Sequence, residues 1–294
     1  MAPRESMVDM ELYNLLFRRT KGRIPRGELF IAREVLKELG REQTREALVA
    51  LCAETGADLC FLSYGGSFGE MPVRAEEMAL LVEKAHSLGM LCGVAVDGPF
   101  ERTAGEHGFL EVLRWFGDPP RLREHLEESA EKAAAELAAA GNAGADLLVL
   151  CDDVAYGRGL YFSPAQFAEV LLPFYRRLKK EAGDGRPVGF HSDGNVAPVV
   201  PLLVEAGYAF FSLEPEAVPL EDLGRRLPEG AFILSGIKAQ WLTGPAPEER
   251  EEEEKEIIRY VTGLKNACRL VLASACGIFD RGGLERLKRI YALV

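Results

Sequence analysis

Three residues in this sequence have side chains that together could bind a metal ion. His191 and Asp193 lie two positions apart after an apolar run, and Cys276 follows another apolar run. If the backbone at His191 and Asp193 is extended, both side chains point to the same side. Imidazole, carboxylate and thiolate are all zinc donors, and three protein ligands with one open position are typical of catalytic zinc. The alternative is a hydrogen-bonding histidine, a turn-capping aspartate and a buried cysteine that packs as a small apolar side chain.

The adjacent carboxylates Asp152 and Asp153 could take part in acid–base chemistry. Neighbouring carboxylates in a pocket push their pKa values apart, so this pair could act as a base or anchor a substrate. The alternative is that one of the two caps the following turn, which contains Gly157 and Gly159.

The elements that would position these residues form a regular alternation along the chain. Eight short apolar runs lie at residues 28–31, 58–62, 91–96, 146–150, 187–190, 209–213, 231–234 and 269–273. Each is continuous and rich in Val, Ile, Leu or Phe, as in strands buried on both faces. Amphipathic segments of helical pattern separate them, among them residues 75–88, 122–140, 165–181 and 247–265. This alternation predicts parallel strands with right-handed crossovers, and eight such units predict an α/β fold that is a single (β/α)8 TIM barrel.

Local signals agree with one barrel domain over residues 1–294. Ser163-Pro164-Ala165-Gln166 has the pattern of a capping box at a helix start. The first 19 residues alternate charged residues with single hydrophobes, which predicts an N-terminal helical extension. No segment has the composition of a linker between domains.

A (β/α)8 barrel builds its active site at the C-terminal ends of its strands. The polar residues just past the predicted strand ends include Asp97, Asp152, Asp153, His191, Asp193, Glu214, Lys238 and Cys276. We expect six of these side chains to open onto one cavity: Asp97, Asp153, His191, Glu214, Lys238 and Cys276. The candidate catalytic residues are Asp97, Asp152, Asp153 and Lys238, and Asp152 or Asp153 would orient the substrate or handle a proton. The glycine-rich segment at residues 64–69 could be a lid or a tight connection, and it lacks the Gly-Lys-Ser/Thr of a phosphate-binding loop.

Composition excludes some classes of partner. The chain is 48% apolar and 28% charged, which is typical of a globular protein. Its formal net charge of -11 argues against nucleic acid, which clustered Lys and Arg would bind. No apolar run approaches the ~20 residues of a membrane span or the length of a signal peptide. The six cysteines are scattered without a CxxC pair, so we expect free thiols and a cytoplasmic location.

Several of these segments together resemble the uroporphyrinogen decarboxylase superfamily. The segments are Val149-Leu150-Cys151-Asp152-Asp153, Ser163-Pro164, Gly189-Phe190-His191-Ser192-Asp193-Gly194-Asn195, Ala206-Gly207, Ser235-Gly236-Ile237 and Ser274-Ala275-Cys276-Gly277-Ile278. The resemblance covers most of the chain and implies the same (β/α)8 barrel. It also implies either a porphyrinogen decarboxylase or a zinc-dependent methyltransferase that exchanges methyl groups with a corrinoid protein.

The methyltransferase branch carries a His-x-Cys motif after the fifth strand and a distant Cys near the end. His191 and Cys276 match the outer two of these ligands, whereas Asp193 stands where the middle Cys would be. A carboxylate ligand makes the metal a harder Lewis acid, which suits an oxygen- or nitrogen-bound methyl group better than a thiol. Glu214 occupies a position where this branch can present a carboxylate, so the resemblance implies a fourth ligand there.

The resemblance therefore favours a zinc-dependent methyltransferase that acts on a small methyl donor or acceptor, with a corrinoid protein as the methyl partner. True decarboxylases carry an Arg-Gln-Ala-Gly-Arg segment near the N-terminus, and residues 21–28 here lack it. The alternatives are a metal-free decarboxylase of tetrapyrrole metabolism and a barrel that binds a ligand without turnover.

Overall fold

Eight parallel strands form the centre of the molecule. The computed structural model describes residues 16, 20, 22–64, 71–183, 185–243, 250–274 and 277–294. In this part of the chain each strand of the large sheet pairs in parallel with the next. Numbered in chain order, these strands are β1 (Gly27–Glu28), β2 (Leu59–Tyr64), β3 (Leu91–Asp97), β4 (Leu147–Cys151), β5 (Val188–Ser192), β6 (Phe210–Leu213), β7 (Phe232–Ile237) and β8 (Leu270–Ser274).

The sheet closes where its first and last strands meet. A parallel bridge joins Arg26 to Leu272, and a second joins Ile31 to Ile278 just beyond β8. The predicted (β/α)8 TIM barrel is therefore confirmed, because eight parallel strands in sequence order curve round to this seam.

The two faces of each strand pack against different layers. Alternate strand residues such as Leu147 and Val149 pack inside the barrel. The residues between them, such as Leu148 and Leu150, pack against the surrounding helices. A strand with both faces buried needs a continuous apolar run, and this is why the runs did not alternate with polar residues.

The helices lie between the strands and surround the barrel. They are α1 (Arg33–Glu38), α2 (Arg45–Glu54), α3 (Ala75–Ser87), α4 (Pro99–His107), α5 (Phe109–Arg114), α6 (Pro119–Asn142), α7 (Leu172–Glu181), α8 (Val200–Glu205), α9 (Leu220–Gly224), α10 (Ala239–Leu242), α11 (Arg250–Ala267) and α12 (Arg281–Leu293). One α-helical turn, Pro164–Gln166, and a π-helical turn, Phe167–Leu171, lead into α7. The predicted capping box is confirmed, since Ser163 accepts from the Gln166 backbone and Gln166 bonds back to the Ser163 backbone.

Element boundaries differ from the prediction at the first strand. The run at residues 28–31 predicted a longer strand, whereas β1 ends at Glu28. Beyond it, Phe30 accepts a hydrogen bond from Ile278 at 3.0 Å and Ala32 donates one to Ile278 at 2.7 Å, so the chain there bonds to the segment after β8. The N-terminal helical extension lies mostly outside the described residues. Leu16, which is described, is buried with the barrel interior.

Candidate functional site

Neighbouring strands place polar side chains in one layer at the C-terminal end of the barrel. Cys151 on β4 is in register with His191 on β5, and His191 is in register with Ser212 on β6. Residues paired in this way on parallel strands point to the same face, and Cys151 belongs to the interior cluster. The last layer of the barrel interior therefore contains polar side chains, whereas apolar side chains fill the layers below it.

A second layer of carboxylates lies two residues further along the chain, past the ends of the same strands. It consists of Asp153, Asp193 and Glu214. The Asp193 backbone donates to Asp153 Oδ1 at 2.8 Å, and the Gly194 backbone donates to Glu214 Oε2 at 3.0 Å. These bonds hold the three chain segments together above the barrel mouth.

Asp153, His191 and Asp193 form a group that could hold a metal ion. One possible ligand atom from each lies within 4.8 Å of the others, and His191 Nε2 is 3.8 Å from Asp193 Oδ1. Ser212 Oγ lies 3.0 Å from His191 Nδ1, so the ring is oriented with Nε2 towards the carboxylates. Donors around tetrahedral zinc lie roughly 3.3 Å apart at bond lengths of ~2.0–2.2 Å, so small side-chain rotations would bring these atoms into a coordination sphere.

The electrostatics of this region are dominated by negative charge. Burial raises the pKa of Asp193, the nearby His191 lowers it, and the charges of Asp153 and Glu214 raise it further. Carboxylates at this density favour either a bound cation or uptake of protons. A divalent ion that accepts oxygen and nitrogen ligands, as zinc does, therefore fits these residues.

Glu101, which the sequence reading missed, belongs to the same region. It is the third residue of α4 and half-buried. Burial raises its pKa to about 7, and the charges of Asp153 and Asp97 raise it as well. An acidic residue in the first turn of a helix is common for dipole reasons alone, so its position gave no functional signal.

Asp152 is held in a structural position at the start of α4, away from the half-buried Asp153 that follows it. It is fully buried and accepts hydrogen bonds from the backbone N–H groups of Phe100 at 3.1 Å and Glu101 at 2.6 Å. The Tyr175 hydroxyl donates a third bond at 2.8 Å. Asp152 thus caps the N-terminus of α4, whose own N-cap, Gly98, has no side chain. A Cβ on Gly98 would lie 2.3 Å from the Asp152 carboxyl carbon, so glycine is required there.

Lys238 directly follows β7, and its ammonium group contacts residues of the outer helices. Its Nζ lies 3.0 Å from Glu256 Oε1 on α11. The same atom is 4.9 Å from the Trp241 ring centre and 4.7 Å from that of Tyr260. These contacts account for its charge without any substrate. A catalytic role for Lys238 stays a prediction, which rests on its position directly after β7.

Comparison with known proteins identifies the family. The sequence matches the family described as uroporphyrinogen decarboxylase (URO-D) over residues 67–294. The chain belongs to the uroporphyrinogen decarboxylase family. A comparison with curated proteins gave no significant match.

Solved structures with the same fold have low sequence identity to this family member. A methyltransferase from Methanosarcina mazei has a TM-score of 0.74 at 16% identity, and 98% of each chain is covered. An L-ribulose 3-epimerase has a TM-score of 0.51 at 13% identity, with 92% of this chain and 93% of the other covered. A xylose isomerase domain containing protein from Salmonella typhimurium has a TM-score of 0.50 at 16% identity, covering 92% of this chain and 98% of that one. At these identities the similarities support the barrel fold alone.

Three further residues of this uroporphyrinogen decarboxylase family member were predicted at the site from the sequence: Asp97, Glu214 and Cys276. Asp97 is buried at the end of β3, and its charge contributes to the raised pKa of Glu101. Glu214 lies close to Asp193, because its charge raises the pKa of Asp193 and it accepts a hydrogen bond from the Gly194 backbone. Cys276 lies outside the described residues. No helix in the described part of the chain is both long and apolar enough to cross a membrane.

Proposed function

We propose that this chain is a zinc-dependent methyltransferase that exchanges a methyl group between a small substrate and a corrinoid protein. The observation that carries the proposal is the convergence of Asp153, His191 and Asp193 at the barrel mouth. Membership of the family and the shared fold with a methyltransferase support it. The proposed location is the cytoplasm, and we propose that residues 1–294 form one domain.

In this proposal His191, Asp153 and Asp193 hold the metal, and Cys276 and Glu214 are further ligands. Bound zinc would supply a Lewis acid for the heteroatom that bears or receives the methyl group. Glu214 would be the ligand most readily exchanged for substrate, because the site already contains several anionic donors. Asp97 and Glu101 would take up or release the proton of that heteroatom, since both lie beside the carboxylates.

Metal analysis of purified variants tests this proposal. We expect the wild-type protein to retain zinc after gel filtration, and His191→Ala, Asp153→Asn and Cys276→Ser to lose most of it. Asp193→Cys restores the motif that the resemblance implies, so it should retain zinc more tightly. Asp222→Asn on α9 is the matched control, because this exposed carboxylate pairs with Arg225. Equal zinc content in all of these proteins would contradict the proposal.

A second candidate function, decarboxylation of a porphyrinogen, follows from the family itself. The carboxylates at the barrel mouth disfavour it, because a polycarboxylate substrate would be repelled by Asp153, Asp193 and Glu101. We expect no efficient turnover of uroporphyrinogen, whereas methyl transfer from free methylcobalamin should depend on His191. Fast conversion of uroporphyrinogen that is insensitive to metal chelation would favour the decarboxylase over the methyltransferase.

A further inference from the structure

Three aromatic side chains form a wall at the mouth of the barrel. A short antiparallel ribbon, Ala155–Tyr156 and Gly159–Leu160, follows β4 directly and carries Tyr156, with Tyr161 next along the chain. The Tyr156 and Tyr161 rings are 5.9 Å apart and nearly parallel, and Phe109 of α5 meets Tyr161 edge-on at 4.8 Å. Tyr156 is 45% exposed and Phe109 38% exposed, so this aromatic wall is open to solvent.

Backbone hydrogen bonds hold the aromatic wall beside the residues that could bind a metal ion. The Tyr161 backbone N–H donates to the Val154 carbonyl at 3.1 Å, and Val154 directly follows Asp153 in the chain. The Asn195 backbone donates to the Tyr156 carbonyl at 2.9 Å, which ties the ribbon to the segment that contains Asp193. Gly194 has a φ of 77° and packs so closely that a Cβ there would lie 2.5 Å from the Tyr156 nitrogen. The ribbon therefore packs directly against the segment that contains Asp193.

The charge next to this wall is negative. Burial raises the pKa of Tyr161, and so do the charges of Asp153, Glu101 and Asp193. Among the cations of the described region, Arg102 is ion-paired with Glu136, and Arg158 is exposed at the turn of the ribbon. Asp97 and Glu214 add two further carboxyl groups to this region.

Aromatic faces beside carboxylates form the environment that stabilises alkylated ammonium groups. The ring faces attract the diffuse positive charge, and the alkyl groups bury apolar surface against them. The carboxylates add attraction at longer range without needing a hydrogen-bond donor. A neutral alkyl group would gain only the burial of apolar surface, and an anionic group would be repelled by the carboxylates.

We infer that the aromatic wall and its neighbouring carboxylates form a subsite for a cationic, alkylated ammonium group of the substrate, adjacent to the metal-binding residues. The inference rests on the proposed function, in which the substrate's reacting heteroatom occupies the metal. The subsite adds the requirement that the same substrate carries a positive charge, which narrows the chemical class of the substrate.

The test compares the binding of choline with that of its neutral isostere, in which a tert-butyl group replaces the trimethylammonium group. Titration calorimetry on the full chain, with zinc and after chelation, should show choline binding at least roughly tenfold more tightly than the isostere. Tyr161→Leu should weaken choline binding about twofold to thirtyfold, and Tyr161→Phe should retain most of it. Glu101→Gln should weaken choline without affecting the isostere.

Tyr260→Leu is the matched control, because this tyrosine contacts Lys238 and lies outside the site. Its choline affinity should equal that of the wild type. Equal affinity for choline and its isostere, absence of choline binding, or equal effects of Tyr161→Leu and Tyr260→Leu would overturn the subsite. If any of these results came with loss of zinc in His191→Ala, the subsite would be wrong and the proposed metal-dependent function would still be supported. Choline selectivity in a protein that never binds zinc would support the subsite and contradict the proposed metal.

Discussion

At the scale of single residues, two neighbouring carboxylates have different environments. Asp152 is fully buried under three hydrogen-bond donors, and burial raises its pKa to about 8. Asp153 is half-buried at the barrel mouth, where it accepts a bond from Asp193 and faces His191. Adjacent residues at a strand end point to opposite sides, so one caps a helix and the other reaches the site.

Substitution of each aspartate by asparagine should separate these roles. Above pH 8, where Asp152 is ionised, Asp152→Asn places an amide NH2 group among donors, so we expect a loss of about 1–3 kcal/mol in the free energy of unfolding. Asp153→Asn should change the stability of the metal-free protein by less than ~0.5 kcal/mol and abolish zinc retention. Urea unfolding in the presence of a chelator measures the first effect. Equal losses of stability in the two variants would contradict the assignment.

At the scale of elements, a buried carboxylate lies at the seam of the barrel. Glu28 on β1 accepts hydrogen bonds from the Ser274 backbone on β8 at 3.1 Å and from the Tyr291 hydroxyl on α12 at 2.8 Å. The Ser274 hydroxyl contacts it as well. Burial raises the pKa of Glu28 to about 7, and the hydrogen bonds from Ser274 and Tyr291 lower it in part. We therefore expect the stability of the joint between the first and last strands to depend on pH.

The sign of this dependence follows from the raised pKa. The folded state holds the Glu28 proton up to about pH 7, whereas the ordinary value is 4.5, so its contribution to stability falls as pH rises between these values. Glu28→Gln cannot ionise, and its stability relative to wild type should therefore be higher at pH 8 than at pH 5. Unfolding free energies in urea at both pH values measure this, with Glu124→Gln as an exposed control. A difference between variant and wild type that does not change with pH would contradict the prediction.

At the scale of the whole molecule, the site is built from segments that are far apart in the chain. Asp153 follows β4, and His191 and Asp193 come from β5 and the residue after it. The strands share one barrel interior, so the site exists only when the barrel is closed. A metal that binds only the folded chain stabilises it by mass action.

Metal removal should therefore lower the thermal stability of the entire chain. Zinc at about a hundred times its dissociation constant contributes ~2.7 kcal/mol, which corresponds to an increase in Tm of roughly 5 °C. We expect one calorimetric transition, shifted down by chelation and restored by zinc in the wild type but not in His191→Ala. Two separate transitions would contradict the single domain, and an equal zinc shift in His191→Ala would contradict the metal site.

The sequence alone determined the barrel and the residues near its mouth. Continuous apolar runs separated by amphipathic segments are sufficient to predict buried parallel strands, since both faces of each strand must be apolar. His191, Asp193 and Glu214 follow from this because the active end of such a barrel is known in advance. The family resemblance drew on the same segments, and the family match confirmed it.

Tertiary structure decided which polar side chains enter the site and which have other partners. Asp152 and Lys238 follow strand ends as Asp153 does, yet Asp152 bonds to the start of α4 and Lys238 to Glu256 of α11. Those partners lie 52, 51 and 18 positions away in the chain, so strand-end position alone could not reveal them. Glu101 enters the site for the same reason, since the capped start of α4 places it beside Asp153. Spacing along the chain fixes the direction of a side chain within a strand, but its partners depend on contacts that form only when the barrel closes.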